Sequence, residues 1–251
     1  MNIVQINASF RIGSTGTIMS GLQDVICRSD NKGWMVCAYS HHSQRDDLFS
    51  TGKFSPSIEV RKDILISRVS GRMGYRNRHV TEKMVQWISE KQPNIIHLHN
   101  IHGDYLNLEV LFDYLETSKV PVVWTLHDCW AFTGRCSHFD AIGCEKWKTG
   151  CFDCKNKYVY PITYIFDRSK QMWQDKRRLF TSLENMVLVT PSAWLADYVR
   201  NSYLKNYPIR VIHNGIDLDV FKPVEKSKYC RSIEGKKVIL GVANMWSQNK
   251  G

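Results

Sequence analysis

Two apolar runs in this 251-residue chain end in groups that can do chemistry. Residues 94–99 read NIIHLH and lead into Asn100, His102 and Asp104; residues 121–127 read PVVWTLH and lead into Asp128. An imidazole beside a carboxylate holds hydroxyl groups and handles protons near neutral pH. His97 lies inside a run and reads as a hydrogen-bonded histidine of the kind that ties loops together. His127 lies at the end of one, beside an acid, where a substrate hydroxyl would be held. A third candidate is the turn over residues 7–16, NASFRIGSTG, in which Gly13, Ser14, Thr15 and Gly16 precede an amphipathic stretch. Exposed amides and the dipole at a helix start favour an anion such as a phosphate. The turn is neither a dinucleotide fingerprint nor a P-loop.

The eight cysteines are unevenly placed. Cys27, Cys37 and Cys230 are scattered, whereas Cys129, Cys136, Cys144, Cys151 and Cys154 crowd one region. Cys136, Cys144, Cys151 and Cys154 follow a C-x7-C-x6-C-x2-C spacing. The closing pair has the gap that lets two thiolates face one ion, so the four are expected to form a closed structural zinc site. The polar segment around them, residues 129–160, is long for a loop and needs something to order it. His138 is the substitute ligand; free thiols or a disulfide are the plainer readings.

For the imidazoles to meet, the runs that carry them must be neighbouring strands. The pattern supports this. Strands are expected at residues 2–6, 34–39, 94–99, 121–127, 186–190 and 209–213. Helices are expected at about 17–29, 81–91, 107–117, 163–182 and 193–202. In the long helix Ile165 and Phe166, Met172 and Trp173, Leu179 and Phe180 recur every seven residues, as one buried stripe. Strands that are nearly continuously apolar and alternate with helices make a doubly wound α/β domain with a parallel sheet. Ligands of such sheets sit outside the carboxyl ends of the strands, where the turns named above lie. Residues 1–213 read as this domain, 214–235 as a linker, and 236–251 as the first strand of a second domain that is cut short.

Charge and composition bound the function. Lys and Arg number 34 against 24 Asp and Glu, a net charge of +10, and 43% of residues are apolar, which excludes a disordered chain. No apolar run reaches the ~18–20 residues of a spanning helix. No basic segment followed by a long apolar run opens the sequence, so the chain is read as cytoplasmic. Half of the basic excess lies at Arg61, Lys62, Arg68, Arg72, Arg76, Arg78 and Lys83, against Asp63 and Glu82. Gly71 and Gly74 make that stretch read as a loop. Such a cluster attracts phosphates, whether of nucleic acid, an anionic membrane or a phosphorylated substrate.

The runs IIHLHN (95–100), WTLHDCWAFTG (124–134), TPSAWLADYV (190–199), HNGID with its downstream F-x-P (213–223) and the closing LGVANMW and KG resemble family-4 glycosyltransferases. The resemblance covers essentially the whole chain, and is closer to the branch that builds bacterial colanic-acid-like and capsular polysaccharides. It implies a Rossmann-like N-terminal domain of the two-lobed GT-B fold and retaining transfer from a nucleotide sugar to a glycan or lipid-linked saccharide acceptor. This lobe would face the acceptor and the missing lobe most of the donor. His127 matches the histidine that contacts the donor sugar, residues 13–16 the turn facing the donor phosphates, and Lys250 the lysine that binds the diphosphate. The family often has an arginine shortly before that lysine; here the region reads Ala243 and Asn244. Asn100, His102, Ser192 and Asn214 complete the candidate substrate-binding set, and Asp128 joins His127 as an orienting group.

Transfer of this kind passes through an oxocarbenium-like state while a diphosphate departs, so cations and amides on the phosphates matter more than a strong base. The basic residues, with Arg168, Lys170, Lys176, Arg177 and Arg178, suggest peripheral attachment at the inner face of the cytoplasmic membrane. Two other classes stay open. A basic, zinc-containing nucleic-acid-binding protein would fit the charge and the cysteines. A nicotinamide oxidoreductase would fit the sheet but not the missing glycine fingerprint.

Overall fold

A computed structural model describes residues 1–40, 45–53, 57–223, 237 and 239–242. The chain divides into two units, Met1–His213 and Asn214–Gly251. In the first unit the apolar runs pair as strands. β1 (Asn2–Ile6), β3 (Lys32–Cys37), β5 (Leu48–Ser50), β6 (Ile95–Leu98), β7 (Val122–Thr125), β8 (Met186–Thr190) and β9 (Ile209–Val211) form one sheet in the order β5-β3-β1-β6-β7-β8-β9. Every pairing in it is parallel. β2 (Ser9–Phe10) and β4 (Tyr39–Ser40) make a separate two-stranded parallel pair.

Helices cover both faces, because alternate residues of each strand face opposite ways. Val4, Ile6 and Val36 belong to the larger core, whereas Met35 and Cys37 pack with Met19, Phe10 and Leu48 in a smaller one. α1 (Gly13–Arg28) covers the smaller core; α3 (Arg78–Glu90), α4 (Leu108–Ser118), α5 (Ser169–Phe180) and α6 (Ala193–Arg200) contribute to the larger. Trp124 of β7 packs against both Phe112 of α4 and Phe180 of α5, with ring centroids 6.1 and 4.9 Å away, and those two rings meet at 4.7 Å. This is the doubly wound α/β fold expected from the alternation.

Strand order runs outward in both directions from β1 and β6. The chain therefore reverses at that pair, and the turns that follow the two strands open a crevice at their carboxyl ends. The imidazole-bearing turn after β6 and the glycine turn after β1 are the two that meet there. Among the described residues no helix is long and apolar enough to cross a membrane.

Three elements depart from expectation. α1 starts at Gly13 rather than near Thr17, so the turn's glycines are the helix's first residues. The basic stretch is mostly helical: α2 (Ser57–Ser70) precedes the turn at 71–77, and α3 begins at Arg78. α2 has no clear apolar period, which hid it. It ends where Gly71 takes φ +71° and donates its N–H to the Ser67 carbonyl at 2.8 Å, a left-handed cap that suits glycine. A Cβ there would also lie 2.4 Å from the Phe166 carbonyl. The expected helix at 163–182 is α5 alone. Ile165 and Phe166 lie outside it and are exposed, hydrogen-bonded along α2 through Tyr164 N–H to Arg68 and Phe166 N–H to Val69.

In the second unit, Asp217 Oδ1 accepts the N–H groups of Asp219 and Val220 in a turn. The strand expected at 236–251 falls largely outside the described residues, and 239–242 carry no assigned strand.

Candidate active site

The turns after β6 and β7 bring imidazoles into a stack. His97 of β6 sits in register with Val123 of β7, and its Nε2 is 2.8 Å from Thr125 Oγ1. The His97 and His99 rings are 4.1 Å apart, those of His99 and His127 5.4 Å apart and nearly parallel. His99 Nδ1 meets His127 Nε2 at 3.2 Å. Burial, and then the neighbouring His127, lowers His97 to about 4. His99 is pushed well below the ordinary imidazole value by burial and both neighbours. Burial also lowers His127, although Asp128 pulls the other way. All three are neutral at pH 7.

One nitrogen decides who donates. Among the described residues, His99 Nε2 is buried with no hydrogen-bond partner. An orphaned buried N–H costs more than an unpaired acceptor. The proton of His99 therefore belongs on Nδ1, donating to His127 Nε2, and His127 keeps its own proton on Nδ1. His127 is thus a neutral hydrogen-bond donor at a strand end.

The two sides of the crevice are tied by Asn7, a fully buried residue at the end of β1. Its Oδ1 accepts the Asn100 N–H at 3.2 Å, and its Nδ2 donates to the Ser9 carbonyl at 2.8 Å and to Thr15 Oγ1 at 3.4 Å. Gly13 and Ser14 are exposed at the start of α1. Gly16 is buried because a Cβ there would lie 2.9 Å from Ser9 Oγ and 3.2 Å from Arg11 N. With no acidic residue in its first turn, α1 presents its amide end to that edge.

Asp128 forms the third group. One oxygen accepts the Trp130 N–H at 2.8 Å and the other lies 3.0 Å from His102 Nε2. Burial opposes the charge on Asp128, but these bonds outweigh it and its pKa falls below the usual carboxylate value. His102 Nδ1 meets the Tyr160 hydroxyl at 3.0 Å. His102 and Tyr160 then line a cleft of about 280 Å³, whose other polar walls include Ser67, Arg68, Asp104 and Arg135. Asp104 accepts from Ser67 Oγ at 2.6 Å and from Gly74 N–H, and burial raises it to about 6. Arg135 is 8% exposed and donates to the Pro161 carbonyl.

The other expected site residues lie apart from this group. Ser192 caps α6, its hydroxyl accepting the Leu195 N–H at 3.2 Å. Asn214 is exposed in the second unit. Lys250, with Ala243 and Asn244, lies outside the described residues. Lys176, expected on a solvent face, is fully buried; it donates to the Trp130 carbonyl, sits 3.9 Å from that ring's centre, and burial lowers it to about 7. Of the basic stretch, Arg72, Arg76 and Arg78 are engaged with Asp175, Asp63 and Glu82.

The zinc expectation finds no support in this geometry. Cys136, Cys144, Cys151 and Cys154 all line one pocket, and Cys136 Sγ lies 4.0 Å from Cys154 Sγ. Cys151 Sγ, however, accepts the Gly134 N–H at 3.1 Å. Among the described residues no three His, Cys, Asp or Glu side chains converge as a metal site requires. Aromatic packing orders the insertion in its place. Trp147 and Phe139 stack 5.1 Å apart, Phe132 and Tyr198 meet their edges, and the Trp147 carbonyl accepts Trp173 Nε1–H.

A neutral histidine donor, a helix start and a carboxylate–imidazole–phenol chain around one crevice suit a polyhydroxylated substrate carrying phosphate. The family model described as Glycosyltransferase Family 4 matches residues 31–220. The chain belongs to glycosyltransferase family 4. It is also 29% identical, over 97% of its length, to a protein of Escherichia coli (strain K12) named "Putative colanic acid biosynthesis glycosyl transferase WcaC". The match covers 62% of that protein. Family-4 membership displaces the nucleic-acid and nicotinamide readings. Asn7, Thr125, Arg135 and Tyr160 belong to this candidate site without having been singled out from the sequence. Only the asparagine that opens the post-β1 turn carried a positional signal; the others come in through tertiary contacts.

Proposed function

We propose that this chain is the acceptor-facing part of a retaining glycosyltransferase, which moves a sugar from a nucleotide-sugar donor to a lipid-linked cell-surface polysaccharide. The observation that carries the reading is topological: His127, a neutral donor after β7, and the amide end of α1, after β1, both follow the carboxyl ends of strands at or next to the β1/β6 reversal of the sheet. Charge builds on the departing diphosphate and on the ring oxygen in such a transfer. Residues 13–16 supply amides for the phosphates, and His127 Nδ1–H holds a donor-sugar hydroxyl without placing a cation beside the oxocarbenium centre. Asn100 is fixed by Asn7 to act alongside. Ser192 contributes at the cost of its helix cap; for Asn214 and Lys250 the donor role rests on the family resemblance alone. The relative's printed name, a putative colanic acid biosynthesis glycosyl transferase, supports a place in polysaccharide biosynthesis.

A membrane-bound acceptor fits one surface. Leu65, Tyr158, Tyr160, Tyr164, Ile165 and Phe166 are each half or more exposed, and Tyr160 lines the cleft. Exposed Arg61, Lys62 and Arg68 flank them. Aromatic and aliphatic groups rimmed by cations suit an anionic lipid surface at the inner membrane.

The test is to incubate the longest natural form of the chain with a panel of nucleotide sugars and vesicles carrying lipid-linked glycans. The expected result is nucleoside diphosphate release that requires the vesicles, a product with the donor's anomeric configuration, and co-sedimentation that rises with anionic lipid. Residues 1–251 alone are expected to turn over little donor, because half the oriented binding is then lost. Release that ignores acceptor, or an inverted linkage, would overturn the reading.

A further inference from the structure

The Asp128–His102–Tyr160 chain leads away from the imidazole stack and into the cleft, so it serves something other than the donor. Its polarity can be worked out atom by atom. Asp128 is ionised and can only accept, so His102 Nε2 must carry the proton it shares with Asp128. In the neutral ring Nδ1 is then bare, and it accepts the Tyr160 hydroxyl. The same order of carboxylate, imidazole and hydroxyl lets an imidazole nitrogen receive a hydroxyl proton in hydrolases. Here the hydroxyl belongs to a tyrosine that is half exposed at the cleft wall.

The supports are rigid. His102 and Asp128 side chains are 12% and 15% exposed. The Trp130 ring lies 5.5 Å from the His102 ring. Arg135 and Ser137 tie the Pro161 and Tyr160 carbonyls from behind. A cleft of about 280 Å³ has room for little more than a sugar ring, and its mostly apolar wall with a few fixed polar groups is what a small-molecule site requires.

We infer that His102 Nδ1 is the hydrogen-bond acceptor for the hydroxyl of the sugar that receives the transferred residue, a hydroxyl that takes the place of the Tyr160 hydroxyl. The inference rests on the glycosyltransferase reading and names the ligand of the cleft as a hexopyranoside. Asp128 is then a positioning residue: it fixes the tautomer that leaves Nδ1 bare.

Asp128→Asn separates this role from a structural one. The Trp130 N–H holds the oxygen on one side, so the amide –NH₂ faces His102 Nε2. A donor there moves the His102 proton to Nδ1, which can no longer accept. The test uses residues 1–251 with ¹⁵N-labelled imidazoles and the octyl glycosides of glucose, galactose and mannose. In the wild type, His102 Nδ1 is expected to be unprotonated, and at least one glycoside should perturb it. Asp128→Asn should show the proton on Nδ1 and bind that glycoside about tenfold more weakly, the scale of one lost hydrogen bond. Tyr160→Phe, an exposed change that leaves the fold intact, should bind it at least as tightly, because the competing hydroxyl is gone.

Equal weakening in Tyr160→Phe would make the phenol the recognition group and overturn the assignment to His102. Failure of all three glycosides to bind folded wild-type chain would overturn it too, as would unchanged affinity after the tautomer shift. None of these outcomes bears on donor turnover, which tests the transferase reading separately.

Discussion

His127→Ala in the longest natural form of the chain is expected to lower the transfer rate by two to three orders of magnitude. That is the scale of removing one oriented donor from a site where charge develops. The variant should still fold, with a moderate loss of stability. His127 is only partly buried, beyond the last residue of β7, and among the described residues its hydrogen bond is to His99. Losing that bond leaves the His99 Nδ1–H unpaired, a cost of about 1–3 kcal/mol. The check is a steady-state rate beside a urea unfolding curve for both proteins. A variant that is inactive because it is unfolded, or one that is folded and fully active, removes His127 from the chemistry.

The second large effect is on acid stability. Below pH ~6.5 an unfolded imidazole takes up a proton that buried His97 refuses until about pH 4. The unfolded state then binds more protons, so stability falls as pH drops through that window and is flat above it. His97 alone accounts for about 2 kcal/mol by pH 5 and about 3 kcal/mol by pH 4. His99 and His127 act in the same direction. His97→Gln, which can still bond Thr125, should unfold in urea with a visibly smaller loss of midpoint between pH 7.5 and pH 5. Matching losses in the two proteins would mean that the stack carries no such coupling.

How far the sequence could be read follows from what makes each element. Strands such as residues 2–6 and 186–190 are apolar on both faces, and burial alone dictates their pairing, so the parallel sheet was legible. So was the crevice, because His99, Asn100, His127 and Asp128 follow directly from strand ends. α2 was not: its stop signal, Gly71, reads equally well as a loop glycine, and its faces are mixed. The expected helix at 163–182 kept its period through Met172, Trp173, Leu179 and Phe180, but Ile165 and Phe166 matched it by chance of spacing. Cysteine spacing pointed to metal, where the stacking of Phe139 on Trp147 orders the insertion. Tyr160 and Lys176 were beyond reach for a different reason. Their partners, His102 and the Trp130 carbonyl, are 58 and 46 residues away along the chain.

Sugar is proposed to bind where the turns after β1, β6 and β7 converge. Amide chemical shifts of residues 1–251, followed while an octyl hexopyranoside is added, decide it. The shifting amides are expected to cluster at residues 7–9, 99–104, 127–130 and 160–162. Shifts gathered instead around the cysteine pocket at 142–155, or confined to residues beyond His213, would contradict it.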